Sequence, residues 1–416
     1  MRPKALMLAA AALAALAGAA RAQECTVKVG VVMPTSVDWG KPLAATTQWV
    51  AELINEAGGV DGCRVETILR DTQVDPKVGV DAARALVDLD KVQLLLGAVS
   101  SGVSMPILTS VAVPAGVMQM SCCSSSTRFT DLAREGGTRG LWFRTFATSN
   151  VQAALAAMAA RDRGIGTVTI LYKNDDWGQD IARLVERAMA GAGVEVLGSI
   201  AITDGQPSYR AEVAEALGKG ADALYLALYP KEGISVVREW ISLGGTTRFI
   251  GTNSLKSDEF REAVGLKHLS EFVGTDTASP RVPSAANFVE AYKARFGTPP
   301  NGPGLANAFD AAAIALLAYH AAGRDAKGAD IAAKVAMVTD PQGEKVEGTP
   351  EGLRRAIELL SQGKSVSFQG ATGAVVFDRW GDVSAPGVYW TFAEDGIREL
   401  GYVPLEEVDA FVASLN

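Results

Sequence analysis

Short apolar runs with no polar alternation recur along the chain, and a stretch of helical spacing follows each of them. Residues 26–33 (TVKVGVVM), 63–70, 92–96 and 117–120 read as strands, and 41–56, 76–89 and 104–111 as helices between them. Runs that stay apolar on both sides predict strands covered by helices on both faces. Their β-α-β order at short spacing predicts a parallel sheet with right-handed crossovers. That unit continues to 141–145. A second series starts with a helix of small residues at 150–161. Strands at 167–172, 194–202, 223–228 and 248–251 then alternate with helices at 178–190, 209–217 and 234–243. The last part is mixed: a strand at 272–276, helices at 285–296, 306–322 and 349–362, and strands at 373–378 and 387–392. This last pair, joined through Trp380, Gly381 and Asp382, reads as antiparallel. Two α/β/α units of similar design therefore lie end to end.

Two junctions of the first unit are rich in serine. Leu94-Leu95-Leu96-Gly97 runs into Ser100-Ser101-Gly102, and Val117-Met118-Gln119-Met120 runs into Ser121 through Ser126. Small hydroxyl residues past a buried strand put N–H groups and Oγ donors at the carboxyl edge of the sheet. Open α/β sheets bind ligands at that edge, and such a lining suits a carboxylate or another anion. A single junction of this kind needs no more than turn-making and helix capping; two in succession favour a site. In the second unit, Asn174-Asp175-Asp176-Trp177-Gly178-Gln179 follows a strand directly, with Asp175 or Asp176 read as a helix N-cap. Trp177 is badly placed there for a core and well placed to lie over a ligand. Tyr229, and Thr252-Asn253-Ser254, hold the equivalent edge after two further strands.

The first residues lie apart from this pattern. Arg2 and Lys4 precede an apolar run at 5–20, and Ala20-Arg21-Ala22 is a small-residue cleavage site, so 1–22 reads as a cleaved secretory signal peptide. No later segment reads as apolar enough to span a bilayer. With 416 residues, 48% hydrophobic and 21% charged, the chain has material for about two domains or more. Losing Arg2, Lys4 and Arg21 takes the formal charge from −8 to −11. An acidic exported protein with no basic run argues against nucleic acid or an anionic membrane surface as a partner.

Export also puts four cysteines in an oxidising compartment. Cys25 and Cys63 open neighbouring strands, which begin at the same edge of a parallel sheet, so a disulfide between them is expected. Cys122 and Cys123 are adjacent, with Cα atoms about 3.8 Å apart, below the usual disulfide span; two buried thiols are favoured over a vicinal bridge. Neither His268 nor His320 neighbours a nucleophile motif. No metal-site spacing, dinucleotide loop, P-loop or other cofactor motif is present.

In this order, behind a leader, the chain resembles the type I periplasmic solute-binding proteins of branched-chain amino acid (hydrophobic amino acid/amide) ABC importers. The resemblance rests on Val29-Gly30-Val31 with Pro34, on 54–60 (INEAGGV), and on Gly97 with Ser100-Ser101. It continues through Phe143-Arg144-Thr145, Tyr172 with 176–179 (DWGQ), and Phe377-Asp378 with Gly381-Asp382. It implies two Rossmann-like α/β/α lobes joined by a hinge of three crossings, placed near Phe146, Asp276 and Gln369. The N-terminal lobe would hold 23–146 and 277–369, the C-terminal lobe 147–276 and 370–416. By the same resemblance, Ser101 with Ser100 holds a ligand carboxylate, Ser124 and Ser125 share it and receive an ammonium, and Trp177 and Tyr229 wall the site. Where the family has an acid for the ammonium, this chain has Asn253. Either Asp175, Asp176 or Glu232 supplies the charge, or the ligand is an amide, hydroxy acid or aromatic carboxylate without an ammonium. The expected function is non-enzymatic: a monomeric periplasmic receptor delivering a small solute to a membrane permease. The rivals are a ligand sensor for a signalling receptor and an exported α/β enzyme using Ser101 or Cys122.

Overall fold

The structure, a computed structural model, describes residues 25–415; the leader lies outside the described residues. In the first sheet the strands run β2-β1-β3-β4-β5, all parallel. They are β1 (Thr26–Met33), β2 (Arg64–Asp71), β3 (Leu94–Gly97), β4 (Met118–Ser121) and β5 (Trp142–Arg144). The unalternating runs have the expected cause. Leu94, Leu96, Met118 and Met120 face one core, which the helix Leu305–Ala322 fills. Leu95 faces the other with Leu86, Val103 and Ile107, where Phe129 stacks on Trp142 at 4.0 Å. Leu305–Ala322 is, by length and composition, apolar enough to cross a membrane, contrary to the sequence reading, but 78% of it is buried inside this lobe. Its His320 is a core residue: Nδ1 accepts from the Asp61 N–H, so the ring proton sits on Nε2, near Ile357 O and Ser361 Oγ.

In the second sheet β6 (Thr167–Lys173), β7 (Glu195–Ile202), β8 (Ala223–Ala227), β9 (Phe249–Thr252) and β10 (Val273–Thr277) are parallel. A separate small sheet holds β11 (Glu344–Glu347), β12 (Val366–Gly370) and β13 (Gly373–Ala374). Two last strands, β14 (Gly387–Ala393) and β15 (Gly396–Val403), join the second sheet antiparallel, beside β10. The expected pairing of 373–378 with 387–392 is therefore wrong. Gly373 has φ +81°, which turns the chain straight back onto Gly370, and β14 pairs instead with β10 and β15.

Cys25 and Cys63 stand just before the paired Thr26 and Arg64, 4.8 Å apart at Cα, and form a disulfide. Cys122 and Cys123 are also bridged, against the expectation of two thiols. In a strand successive side chains point to opposite faces. These two lie past the end of β4, in a bend held by Cys123 and Ser124 N–H bonds to Ser121 Oγ, where that alternation no longer applies.

Candidate functional site

The carboxyl ends of both sheets face each other across a cleft. A cavity of about 70 Å3 lies there. Ser101, Cys123 and Ser125 line it from the first lobe; Trp177, Tyr229, Asn253 and Lys256 line it from the second. Ser101, Ser125, Trp177, Tyr229 and Asn253 are thus brought together at one wall-to-wall site. Ser100 and Ser124 are not liners. Ser100 Oγ accepts a 3.0 Å bond from the Tyr229 hydroxyl, which ties the two lobes. Ser124 is fully buried, its Oγ 3.1 Å from Val99 O and 2.8 Å from Ser104 Oγ, so its proton and a lone pair are both engaged in joining the two serine loops.

Behind the serine loops sits Arg144, with no exposed surface. It donates to Asp382 Oδ1 (2.7 Å), Thr130 Oγ1 (2.9 Å) and the carbonyls of Ser124 (3.1 Å) and Ser126 (2.6 Å). One guanidinium therefore fixes the backbone that presents Ser125 and satisfies its own charge. Asp382 belongs to 375–386, the passage from β13 to β14, whose Phe377 and Val383 pack on the first lobe's core.

Three rings form a ladder across the cleft, Trp39 from the first lobe and Trp177 and Tyr229 from the second. Trp177 and Tyr229 stack at 5.1 Å, and Tyr229 stacks on Trp39 at 5.6 Å. Sequence reading missed Trp39, although its signal matches that of Trp177: a Trp-Gly pair between a strand and a helix. In both pairs the chain doubles back on the strand end. A Cβ on Gly40 would meet Pro34 O at 2.0 Å, and one on Gly178 would meet Lys173 O at 1.9 Å. Only glycine permits that approach, and it leaves the preceding Trp over the cleft. Gly304 is a third such position. It has φ +75°, and a Cβ there would lie 2.6 Å from Cys123 Sγ, so the disulfide reaches the wall only because this residue is glycine. Nothing local in the sequence marks Lys256, which follows the turn Asn253–Leu255.

None of the three candidate acids lines the cavity. Asp175 caps the helix Asp176–Gly191 through Gly178 N (2.9 Å) and abuts Gly102 across the cleft; burial pushes its carboxyl up to about 6. Asp176 pairs with Arg128. Burial raises Glu232, with Lys173 opposing the shift. At the rim, Asp180, fully buried, accepts from Thr127 N (2.6 Å), Thr127 Oγ1 (2.7 Å) and Arg183 (2.7 Å), which adds a second tie between the lobes.

Residues 26–378 match the family described as periplasmic binding protein. The chain belongs to that family. This binding protein is 24% identical over 381 residues to the leucine-, isoleucine-, valine-, threonine- and alanine-binding protein of Pseudomonas aeruginosa, covering 91% of this chain and 92% of that one. It is 28% identical over 329 residues to the chemotactic signal transduction substrate-binding protein BasB of Halobacterium salinarum, covering 78% and 75%. Among solved structures, a leucine-binding protein of Thermotoga maritima superposes with a TM-score of 0.73 at 21% identity, over 91% of this chain and 99% of that one. The binding protein thus has the type I fold of two α/β lobes, in a family of solute-binding proteins rather than enzymes.

Proposed function

We propose that this binding protein is the periplasmic solute receptor of an ABC importer. It takes one small amino-acid-like, amide or carboxylate solute between its lobes and hands it, as a monomer, to a membrane permease. The lobes comprise 25–146 with 277–374 and 147–276 with 387–415, and the third strap of the hinge is 375–386 rather than the neighbourhood of Gln369, since β13 pairs with β12 and Ala371 and Val375 sit in the first lobe's core. Ser101 and Ser125 grip the solute, with Ser100 and Ser124 shaping the loops behind; Trp177, Tyr229 and Asn253 cover it. The observation that carries this reading is the inter-lobe cavity whose wall draws hydroxyls from one sheet's carboxyl edge and an amide and two rings from the other's. Relatives named for branched-chain amino acids support the importer role; the chemotactic relative supports sensing as a second reading. Titration of the mature chain with amino acids, amides and carboxylic acids, followed by calorimetry, tests it. Saturable binding without turnover, weakened by Ser101→Ala, is expected. Turnover lost in that variant would overturn it in favour of an enzyme.

A further inference from the structure

Among the described residues, the one charged side chain lining the inter-lobe cavity is Lys256, and no carboxylate lines it. Lys256 Nζ lies 3.1 Å from Asp276 Oδ2, with side-chain exposures of 20% and 6%. The ammonium is directed to the open groove next to the cavity, which Asp276 and Trp390 line; Nζ stands 5.9 Å from the centre of the Trp390 ring. Asn253, one turn away, is held by Gln152, whose Nε2 donates to Asn253 Oδ1 at 3.1 Å and whose Oε1 accepts the Asn253 N–H at 3.3 Å. Four acids around the cleft are engaged within the chain, Asp175 by Gly178 N, Asp176 by Arg128, Asp180 by Thr127 and Arg183, and Asp204 by Lys173, and Glu232 does not line the cavity.

Of the wall hydroxyls, Ser254 and Tyr229 spend their protons on Leu228 O and Ser100 Oγ, whereas three serines keep theirs. Ser101 Oγ accepts from Ser126 N (3.2 Å), Ser125 Oγ accepts from Ser149 Oγ (3.0 Å), and Ser257 Oγ accepts from Phe260 N (3.1 Å). Each hydroxyl has one proton and accepts from behind, so each keeps that proton to donate forward. Three such donors, with the Lys256 side chain beside them and its ammonium at the cavity's edge, are complementary to acceptor oxygens. It offers a ligand's own ammonium no anionic partner, and an unpaired buried charge is costly.

We infer that Lys256 is a built-in ammonium that occupies Asp276, so that the cavity selects carboxylic acids lacking an amino group over the amino acids of the same carbon skeleton. This rests on the solute-binding reading above and sharpens it. An amino acid would have to displace Lys256 to reach Asp276, whose Oδ2 the lysine already holds at 3.1 Å. A deaminated acid meets Ser101, Ser125 and Lys256 with no such exchange.

Matched pairs test this on the mature chain by calorimetry: leucine against 4-methylpentanoate, phenylalanine against 3-phenylpropanoate, and benzoate alone. The acid of a pair is expected to bind about tenfold or more tighter than its amino acid. Lys256→Met should erase that preference. Because it leaves Asp276 buried and unpaired, Lys256→Met/Asp276→Asn is the second variant; it too should lose the acid's advantage while melting cooperatively. Tighter binding of the amino acid by the wild type, or an unchanged preference in the double variant, overturns the inference and leaves the receptor reading intact. No response to any member of either series overturns both.

Discussion

Truncating Asp382 to Ala isolates the charge that holds the serine loops. Arg144 is wholly buried, and its Nε bond to Asp382 at 2.7 Å is its ion pair; the other contacts are neutral oxygens of Thr130, Ser124 and Ser126. Removing one partner of a buried pair strands the other charge and costs about 3–5 kcal/mol, or roughly two to four orders of magnitude in the folding equilibrium. Urea unfolding followed by circular dichroism reads this directly, with tryptophan fluorescence as a second probe because two lobes can unfold separately. Arg144→Met/Asp382→Leu removes both charges and should recover much of the stability, since apolar replacement of a buried pair is often neutral. It should not recover solute affinity, because the carbonyls of Ser124 and Ser126 lose the donor that positions Ser125 between them. A loss below about 1 kcal/mol in Asp382→Ala, the figure for an exposed pair, would refute the reasoning. So would a double variant as unstable as the two single losses combined.

Asp310 accepts from Ala371 N, Thr372 N and Thr372 Oγ1, yet burial outweighs these donors and pushes its carboxyl up to about 7. The folded chain then holds a proton that the unfolded chain releases near 4, so stability should fall as pH rises from about 4 to about 7, by up to about 1.4 kcal/mol per pH unit. Asp310→Asn should flatten that slope in urea titrations at several pH values, and parallel slopes would sink the assignment. Cys25→Ser/Cys63→Ser opens a loop spanning 38 positions and should cost about 4 kcal/mol on the chain-entropy account; an unchanged melting midpoint would contradict it. Tyr229→Phe removes the hydroxyl bond to Ser100, worth about 0.5–1.5 kcal/mol to the closed form. Small-angle scattering should show a larger radius of gyration without solute, and an identical radius would count against Tyr229 as a tie between lobes.

The first sheet was legible because both of its faces are buried, which gives short runs such as Leu94–Gly97 no polar alternation to confuse with a helix. The edge strand Gly396–Val403 and the helix Leu405–Ser414 went unread because they are mostly exposed, and tertiary pairing rather than burial pattern defines them. That Ser101, Ser125, Trp177, Tyr229 and Asn253 stand on one cavity wall could be read from their places at strand ends. Trp39 could have been read by the rule that found Trp177. Lys256 could not. A lysine after a turn looks like any solvated surface lysine, and only the fold sets its ammonium against Asp276, 20 residues on. Ser124 shows the converse: residue type and position were right for a ligand contact, but its hydroxyl is consumed in joining one serine loop to the other.

The bonds between the lobes also bear on how solute is held. Thr127 with Asp180, Arg128 with Asp176 and Tyr229 with Ser100 would all find water if the lobes parted. Each therefore contributes only about 0.5–1.5 kcal/mol net to closure, somewhat more where charge is involved. Set against the entropy of fixing two lobes, that leaves the open and closed forms close in free energy, the regime in which a ligand can decide between them. Driving a hinge from one part in a hundred closed to ninety-nine requires about 5.5 kcal/mol of differential affinity. A solute held by the serine hydroxyls alone supplies none of it, because those contacts survive opening. One that reaches from Ser101 and Ser125 to Lys256 and Asn253 bonds both lobes at once and loses half of its partners when they separate. Recognition by the second lobe is then what closes the cleft, so an amino acid repelled by Lys256 would fail to bind tightly and would also leave the hinge open.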